Sequence, residues 1–334
     1  MAASSYQTYQ NQSRGPYRPR RKRRVGRVIG VLFLVLLVAL VGGWIYLDTS
    51  LQRVSALGDD ANRPAAGKGT NWLLVGSDSR EGLSAADRAK LATGDAEGRR
   101  TDTMMLLHIP SGSGPATLVS LPRDSFVPIP GNDRNKLNAS YAFGGPKLLV
   151  QTVENVTGLR IDHYAEIGFG GFRDMVDAVG GVEMCPKEAI NDPKAGLNLQ
   201  PGCQKLNGAQ ALGYVRTRAT PRADLDRVER QRELLSALMA KAGSAGTIFN
   251  PFRSIPLMAS APDALTVDDG DHLHNLALMG WAMSGDLVTT TVPIGSMGNQ
   301  GPVGSVVNWD RAKASRLFEA LANDQPVPTD LLTK

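Results

Sequence analysis

The longest uninterrupted apolar run of the chain extends from Val28 to Leu47 and contains no charged residue. As a helix rising about 1.5 Å per residue it would be roughly 30 Å long, which matches the hydrocarbon core of a bilayer. Trp44 and Tyr46 lie at its far end, where aromatic side chains favour the membrane interface. We therefore expect a transmembrane helix. The alternative, a cleaved signal peptide, is disfavoured by the length of the run and the lack of an A-x-A cleavage pattern.

Beyond residue 70 the apolar positions change their period. Short, almost wholly apolar runs predict strands, and runs with apolar residues every three or four positions predict helices. The predicted strands are Asn71–Val75, Thr101–Ile109, Ala116–Leu121, His163–Ile167, Val182–Cys185, Leu197–Lys205, Val288–Pro293 and Val303–Val307. The predicted helices are Leu137–Phe143, Pro146–Val156, Gly171–Val179, a helix that Asn207 caps and that runs through Val215, Ala223–Ala242, Pro251–Ala259, His272–Met283 and Trp309–Leu321.

The composition of the strands indicates the fold class. Runs such as T-D-T-M-M-L-L-H-I are apolar on both sides, as in strands that helices cover on both faces. Strands and helices alternate along the chain without a regular βαβ order. We predict a single α/β domain with a central mixed β-sheet flanked by helices on both faces, preceded by one transmembrane helix.

The same patterning divides the chain into five segments. We expect a disordered basic tail over residues 1–27, the transmembrane helix over 28–47, a juxtamembrane stalk with one short helix over 48–69, the folded domain over 70–325 and a C-terminal tail over 326–334. Positive charge next to a span stays in the cytoplasm. We therefore predict a single-pass plasma-membrane protein whose N-terminus is cytoplasmic and whose folded domain is extracellular.

Charge and motif content exclude several classes of function. Of the 37 Lys and Arg residues, eight lie within residues 1–27, which leaves 29 against 32 acidic residues for the rest of the chain. The basic net charge therefore belongs to the tail, and we expect no nucleic-acid binding by the folded part. The chain also lacks the G-x-S-x-G pattern of hydrolase nucleophile elbows and the H-E-x-x-H pattern of zinc proteases.

The chain has two cysteines, Cys185 and Cys203. Outside the plasma membrane the environment is oxidising, so we expect them to form a disulfide. Closing a loop of 18 residues would contribute about 3 kcal/mol to stability.

The stretch Arg216–Gln231 combines five arginines with three acidic residues. Such a run usually forms a solvated helix face, but its spacing favours an anion site. Arg216 and Arg218 point the same way if extended, and Arg227 and Gln231 share one helix face. Guanidinium groups and an amide directed at one place suit a phosphate. The other arginines here are expected to face solvent or nearby acids: Arg222, Arg230 and Arg232.

Polar side chains also occur where predicted strands begin or end. Asp78 follows the first strand, Asp102 opens the second, and Arg123 follows the third. Ligands of open α/β sheets bind in crevices at strand ends. Asp78 and Asp102 together could hold one Mg²⁺ through oxygen ligands. The alternative is an ion pair of Asp102 with Arg100 or Arg123 and no metal.

Together these segments resemble the LytR-CpsA-Psr family of bacterial envelope proteins. The resemblance covers about Asn71 to Lys241, and the matching motifs follow one another in order along the chain. They are Gly76–Arg80 (G-S-D-S-R), Arg100–Leu106 (R-T-D-T-M-M-L), Ser120–Ser125 (S-L-P-R-D-S), Lys136–Gly145 (K-L-N-A-S-Y-x-x-G-G), Asp177–Val182 (D-A-V-G-G-V), Leu206–Arg218 (L-N-G-x-Q-A-L-x-Y-V-R-T-R) and Asp224–Arg232 (D-x-D-R-V-E-R-Q-R). The segment 81–99 is longer than the family pattern leads us to expect.

The resemblance implies that residues 70–325 are a catalytic phosphotransferase domain. Such proteins move a phosphoglycosyl polymer (teichoic acid, capsular or other secondary wall glycan) from a polyprenyl-pyrophosphate carrier to peptidoglycan, forming a phosphodiester. It implies Mg²⁺ as cofactor, with Mn²⁺ as a substitute, held by Asp78 and Asp102. It implies catalytic roles for Asp102 and Arg123. The implied pyrophosphate-binding set is Arg80, Arg100, Arg123, Lys136, Arg216, Arg218, Arg227 and Gln231.

Two other functions fit the same residues. A hydrolase of the polyprenyl-pyrophosphate lipid would need the same metal and arginines but would use water as acceptor. A non-catalytic lipid-phosphate-binding regulator of envelope assembly would need only the arginines. The expected partners are the lipid-linked glycan, peptidoglycan and the lipid bilayer.

Overall fold

The computed structural model describes residues 22–58, 63–78, 101–217 and 224–333. It divides into two compact units, Met1–Tyr46 and Leu47–Lys334. Helix α1 runs from Lys22 to Ser50 and contains the one candidate membrane span found among the described residues, Gly26–Ser50. The predicted apolar helix is therefore present.

The second unit is built on a sheet of seven strands in the order β1-β12-β7-β2-β3-β4-β13. These strands are β1 (Gln52–Val54), β2 (Thr70–Ser77), β3 (Thr101–Ile109), β4 (Ala116–Ser120), β7 (His163–Ile167), β12 (Leu265–Asp268) and β13 (Leu287–Thr291). Parallel pairs (β1/β12, β2/β7, β4/β13) and antiparallel pairs (β2/β3, β3/β4, β7/β12) both occur. The prediction of a mixed sheet is confirmed.

The described part of the second unit contains eight helices, which are interspersed with the strands along the chain. They are α2 (Leu137–Thr157), α3 (Phe169–Ala178), α4 (Gly208–Arg216), α5 (Asp224–Ala242), α6 (Ala245–Ile248), α7 (Pro251–Ala264), α8 (Leu273–Ser284) and α9 (Arg311–Ala322). Short strands outside the main sheet pair in four ribbons: β5 (Phe126–Val127) with β6 (Asn135–Lys136), β8 (Val182–Met184) with β11 (Gln204–Leu206), β9 (Ile190–Asp192) with β10 (Leu197–Leu199), and β14 (Ile294–Asn299) with β15 (Ser305–Trp309).

Alternate residues of the central strands enter two different cores, as the two-residue period of a strand requires. On one face, Leu73 and Leu106 pack with side chains of α2 and α9 such as Val153 and Leu317. On the other face, a second core joins the sheet to α8, with side chains of α5 packed against it. Helices on both faces explain why β4 is buried throughout and why β3 is buried from Met104 to His108.

The sheet gathers the predicted site residues at one edge. Strands β2, β4, β7 and β13 all end there, because β7 runs parallel to β2, β4 runs antiparallel to β3, and β13 runs parallel to β4. Strand β3 starts at the same edge, opposite the end of β2. The residues after Ser77 and Ser120 and those around Thr101 therefore meet at this edge, although long segments separate them in sequence.

Three local elements differ from the prediction. Gln52–Val54, within the predicted stalk, forms β1 and pairs with β12. The strand expected to return to the sheet at Val303–Val307 instead pairs with β14 in a separate hairpin. The predicted strand Leu197–Lys205 is instead two strands, β10 and β11, which pair with β9 and β8. In the last two cases short apolar runs predict a strand but do not specify its partner.

Two other local predictions are confirmed. Cys185 and Cys203 form a disulfide between the ends of β8 and β11. Asn207 caps α4: its side chain accepts a hydrogen bond from the backbone N–H of Gln210, and the Gln210 side chain accepts one from the backbone N–H of Asn207. This reciprocal pair is a capping box, which satisfies two N–H groups that a helix start would otherwise leave unbonded.

Candidate active site

Asp102 is placed by an irregularity in the β2/β3 ladder. Gly76 is opposite Thr103 and Ser77 is opposite Thr101, so Asp102 is the extra residue of a β-bulge. A bulge leaves its extra residue outside the alternation of the strand and redirects its side chain. A Cβ on Gly76 would lie 3.0 Å from the Thr103 Cβ, so glycine permits this close approach of the two strands.

A cluster of opposite charges surrounds Asp102. The Arg123 Nη1 donates to Asp102 Oδ1 over 2.5 Å, and the Arg123 Nε donates to Asp124 Oδ2 over 3.3 Å. Lys136, at the start of α2, lies 2.8 Å from Asp124 Oδ1. The ion pair between Asp102 and Arg123, foreseen as the alternative to a metal, is thus present. A carboxylate has two oxygens, so Asp102 can bind a cation and Arg123 at the same time.

Neighbouring positive charges stabilise the ionised form of Asp124. Burial alone would raise the pKa of this carboxyl, but the hydrogen bond from Lys136 and the positive charges of Arg123 and Lys136 hold its pKa below the ordinary value. The sequence motif S-L-P-R-D-S therefore provides two side chains of this charged cluster, Arg123 and Asp124, linked to the start of α2.

The stretch Arg216–Gln231 contributes buried polar groups from α4 and α5. Arg227 is 4% exposed and Gln231 is 8% exposed. The Gln231 amide donates to the backbone oxygen of Val215 over 3.3 Å, which joins α5 to the end of α4. The Arg216 guanidinium lies 5.0 Å from the centre of the Phe169 ring, a cation–π contact. The prediction that Arg227 and Gln231 share one face is confirmed by their joint lining of the cavities described below.

Of the alternatives expected for Arg230 and Arg232 (solvent, Asp224 or Glu229), exposure to solvent is wrong, whereas the negative charge of Glu229 acts on both guanidinium groups. They are 6% and 7% exposed. Arg230 donates to the Thr217 backbone oxygen over 2.7 Å and lies above the Tyr214 ring, and Arg232 donates to Thr291 over 3.3 Å. Burial lowers the pKa of both guanidinium groups and raises that of Tyr214 to about 12. These hydrogen bonds join α5 to the end of α4 and to β13. The charge pattern of one helix cannot predict them, because the acceptors lie on other elements.

Two cavities meet at this edge of the sheet. The first has a volume of about 360 Å³ and is largely apolar, with walls from α5 and α8 that include Leu235, Met239 and Met283. The second, of about 380 Å³, contains Arg123 and Asp124. Both cavities are lined by the same five residues, which mark their junction: Asp102, Thr103, Met105, Arg227 and Gln231.

Sequence reasoning missed Glu166, which lines the apolar cavity from β7. It is 6% exposed, and its carboxylate accepts hydrogen bonds from the hydroxyls of Tyr141 and Tyr164 at 2.7–2.9 Å. A buried carboxylate is stable only with such donors. The alternation of β7 predicts that Tyr164 and Glu166 point to one face, but the donor from α2 could be found only in three dimensions.

Three predicted site residues lie outside the described part of the chain: Arg80, Arg100 and Arg218. Asp78 is at the end of the described β2 segment. Lys136 contacts Asp124, whereas Arg216, Arg227 and Gln231 reach the cavities.

The donor set at the end of β2 and the start of β3 fits a hard cation. Asp78 and Asp102 supply carboxylate oxygens, the ligands that Mg²⁺ prefers. Among the described residues, the buried hydroxyls of Ser77 and Ser120 have no hydrogen-bond partner, and each lines one of the two cavities. Unpartnered buried oxygens beside carboxylates suit a polar or charged ligand.

This fold and this site belong to a known class. The sequence model of the LytR_cpsA_psr family matches residues 48–294, and the chain therefore belongs to that family. The similar solved structures include one described as "TagT bound to LI-WTA", at 24% identity and a TM-score of 0.63, covering 81% of this chain and 99% of that one. Another is a LytR-Csp2A-Psr enzyme from Actinomyces oris, at 23% identity and a TM-score of 0.63, covering 82% of this chain and 95% of that one. At these identities the structures support the fold.

Curated relatives are named for cell-wall synthesis. The chain is 55% identical over 278 residues to the probable cell wall biosynthesis protein LcpB of Corynebacterium glutamicum, covering 83% of this chain and 66% of LcpB. It is 35% identical to the cell wall biosynthesis protein LcpA of the same organism, covering 80% of this chain and 58% of LcpA. It is 34% identical to the polyisoprenyl-teichoic acid–peptidoglycan teichoic acid transferase TagU of Oceanobacillus iheyensis, covering 66% and 65%. The chain thus spans about two thirds or less of these relatives' lengths.

Proposed function

We propose that this protein is a phosphotransferase on the outer face of the plasma membrane. It moves a glycopolymer from a polyprenyl-pyrophosphate carrier to peptidoglycan. The observation that carries the proposal is the junction of a polar, arginine-containing cavity with an apolar cavity at Asp102, Arg227 and Gln231. A lipid pyrophosphate has the same two-part chemistry, an apolar chain joined to a dianionic head. The name of TagU supports the same donor and acceptor classes.

The apolar cavity would hold the first part of the polyprenyl chain. Its walls come from the sheet and from two helices whose inward side chains are Leu and Met: Leu234, Leu235, Leu238, Met239, Met279 and Met283. Flexible Met side chains adapt to irregular apolar ligands. The pyrophosphate would then lie at the junction, against Arg227 and Gln231, with Arg123 on the opposite side.

The residues at the junction suit phosphoryl transfer. This reaction depends on positioning and on neutralising charge more than on covalent catalysis. Arg123 and Arg227 would stabilise the negative charge that develops as the acceptor oxygen bonds to the glycan-bearing phosphorus and the bond to the lipid phosphate breaks. The products are a glycan–peptidoglycan phosphodiester and polyprenyl monophosphate. Mg²⁺ held by Asp78 and Asp102 would neutralise phosphate charge when bound.

A carboxylate would orient the acceptor hydroxyl and receive its proton. Asp102 and Asp124 both line the polar cavity. Lys136 and Arg123 hold the pKa of Asp124 low, which weakens Asp124 as a base. Asp102 is the carboxylate that also lines the apolar cavity, at the junction where the pyrophosphate would lie. Arginine itself stays protonated and cannot take this role.

The test uses the full-length chain in nanodiscs with Mg²⁺, a polyprenyl-pyrophosphate-linked glycan and peptidoglycan oligomers. Mass spectrometry should find the glycan–peptidoglycan phosphodiester together with polyprenyl monophosphate. Polyprenyl monophosphate with free phosphorylated glycan would identify the lipid hydrolase instead. Binding of an unchanged substrate would identify the regulator. Either of these results contradicts the transferase.

Site variants complete the test. Arg123→Ala and Asp102→Ala should each lower turnover by at least about 100-fold, the usual effect of losing one charge-stabilising or proton-transferring group. Arg134→Ala is the matched control, because Arg134 is exposed and contacts Phe126 rather than either cavity at the junction. Wild-type turnover in both site variants would refute the assignment of this site.

A further inference from the structure

Helix α7 presents its apolar side chains outward. Phe252 is 88% exposed, Ile255 is 63% exposed and Met258 is 52% exposed. Three polar side chains of the same helix, Arg253, Ser254 and Ser260, are half-buried, and only Asp263 near its end is an exposed polar residue. A surface helix of a water-soluble domain has the opposite arrangement. The exposed face of α7 is therefore suited to an apolar environment.

Neighbouring elements extend this face. Phe249, directly before α7, is 84% exposed, and α8 exposes Leu278 (59%) and Trp281 (77%). The turn that leads from α5 into α6 and α7 lies against the end of α8, since a Cβ on Gly243 would lie 2.4 Å from the Cβ of Ser284. Helix α8 contains no Asp, Glu, Lys or Arg. We call the exposed apolar side chains of these elements the α7–α8 face: Ile248, Phe249, Phe252, Ile255, Met258, Leu278 and Trp281.

The α7–α8 face is attached to the point where the chain leaves the candidate membrane span. Gln52, two residues after the end of α1, pairs with Thr266 just after α7, and its side chain donates to the Asp263 backbone oxygen over 3.3 Å. The Asp48 carboxylate accepts a hydrogen bond from the backbone N–H of Leu273, the first residue of α8, over 2.7 Å. If α1 crosses a bilayer, the end of α7 and the start of α8 are held next to the lipid surface.

We propose that the α7–α8 face is a bilayer-docking surface, which rests in the boundary between lipid headgroups and acyl chains. Phe, Trp, Leu and Ile side chains on uncharged helix faces favour this boundary, and Trp in particular prefers it. A second copy of the chain is a weaker candidate, because the lipid is already present at the attachment point whereas a partner copy must be recruited. The inference does not depend on the proposed transferase activity.

The test follows Trp281 in the full-length chain reconstituted in nanodiscs whose phospholipids carry bromine on their acyl chains. The background is Trp44→Phe, which removes the tryptophan of the span and leaves Trp72, Trp281 and Trp309. Brominated lipid should quench part of the emission. Adding Trp281→Phe should abolish that quenching, while adding Trp309→Phe should leave it. Absence of quenching in the background chain, or quenching that survives Trp281→Phe, would overturn the proposal.

A second set of variants tests the face as a unit. Phe252→Ser with Ile255→Ser should roughly halve the quenching of Trp281, as loss of apolar side chains weakens interfacial binding. Phe143→Ser, which removes another exposed aromatic side chain (54%) from α2, is the control and should leave the quenching unchanged. All these side chains are exposed, so the melting temperature should stay constant. If Trp281 is instead shielded from aqueous iodide only in discs that carry two copies, a second copy covers the face and the proposal fails.

Discussion

The pair of Arg63 and Glu154 allows a quantitative prediction. Arg63, in the segment before β2, donates to the Glu154 carboxylate through Nε and Nη2 at 2.8–3.2 Å, and its Nη2 also donates to the Ile161 backbone oxygen over 2.5 Å. The two side chains are 10% and 2% exposed. The hydrogen bond that Arg63 donates to the Glu154 carboxylate raises the pKa of Arg63, despite the opposing effect of burial. The Glu154 carboxylate therefore stabilises the charged form of Arg63.

Removing the arginine leaves a buried carboxylate without its counterion. Arg63→Met should lower the free energy of unfolding by about 3–5 kcal/mol, the usual cost of breaking a buried pair. For a domain of this size, that corresponds to a fall of roughly 6–20 °C in melting temperature. The double variant Arg63→Met with Glu154→Leu should recover most of this loss, because no buried charge then remains. Thermal unfolding of the full-length chain in nanodiscs, followed by circular dichroism, measures all three.

The control compares an exposed pair of similar geometry. Arg316 contacts both carboxylate oxygens of Asp330 at 2.9 and 3.2 Å, but the side chains are 52% and 56% exposed. Arg316→Met should leave the melting temperature nearly unchanged, since water screens the charges. If Arg63→Met also leaves it unchanged, or if the double variant is no more stable than the single one, burial of the Glu154 charge is not what makes this pair important.

Two further predictions concern the disulfide and the charged cluster of the site. Cys185→Ser should cost about 3 kcal/mol under oxidising conditions and nothing once the wild type is reduced, as compared by urea unfolding with and without dithiothreitol; equal stability under oxidising conditions would contradict it. Because the pKa of Asp124 is depressed, its stabilising effect is full above the unfolded pKa of about 3.9 and is lost as the pH falls through the folded value. Lys136→Met should therefore show a smaller fall in melting temperature between about pH 6 and about pH 3 than the wild type; an equal fall would show that Lys136 does not set this pKa.

Local elements of this fold could be predicted from sequence because local physics determines them. Thr101–Ile109 and His163–Ile167 form strands with the predicted ends. The predicted break before Pro146 is present as non-helical backbone at Gly144 and Gly145 within α2. These features depend on short apolar runs, on proline and on glycine, all of which act over a few residues.

Partners in three dimensions could not be predicted in the same way. β1 is three residues long, too short to stand out from a stalk, and only its pairing with a strand more than 200 residues away reveals it. Arg230 and Arg232 belong to a charge run whose average property is exposure, yet both are buried because α4 and β13 offer oxygens to them. The donors to Glu166 likewise come from two separate elements.

The bulge at Asp102 has a consequence for how tolerant this chain is to insertions and deletions. One extra residue in β3 allows Met104, Met105 and Leu106 to keep their alternation between the two cores while Asp102 falls out of phase with β2. Deleting a residue here would restore a regular ladder and remove the carboxylate from the cavities. Deleting one residue between 104 and 108 would shift the register on one side of the deletion, so that the side chains there would point to the opposite face of the sheet. The number of residues in β3 thus determines both which side chains face each core and where Asp102 points. Substitutions should therefore be tolerated here far better than insertions or deletions.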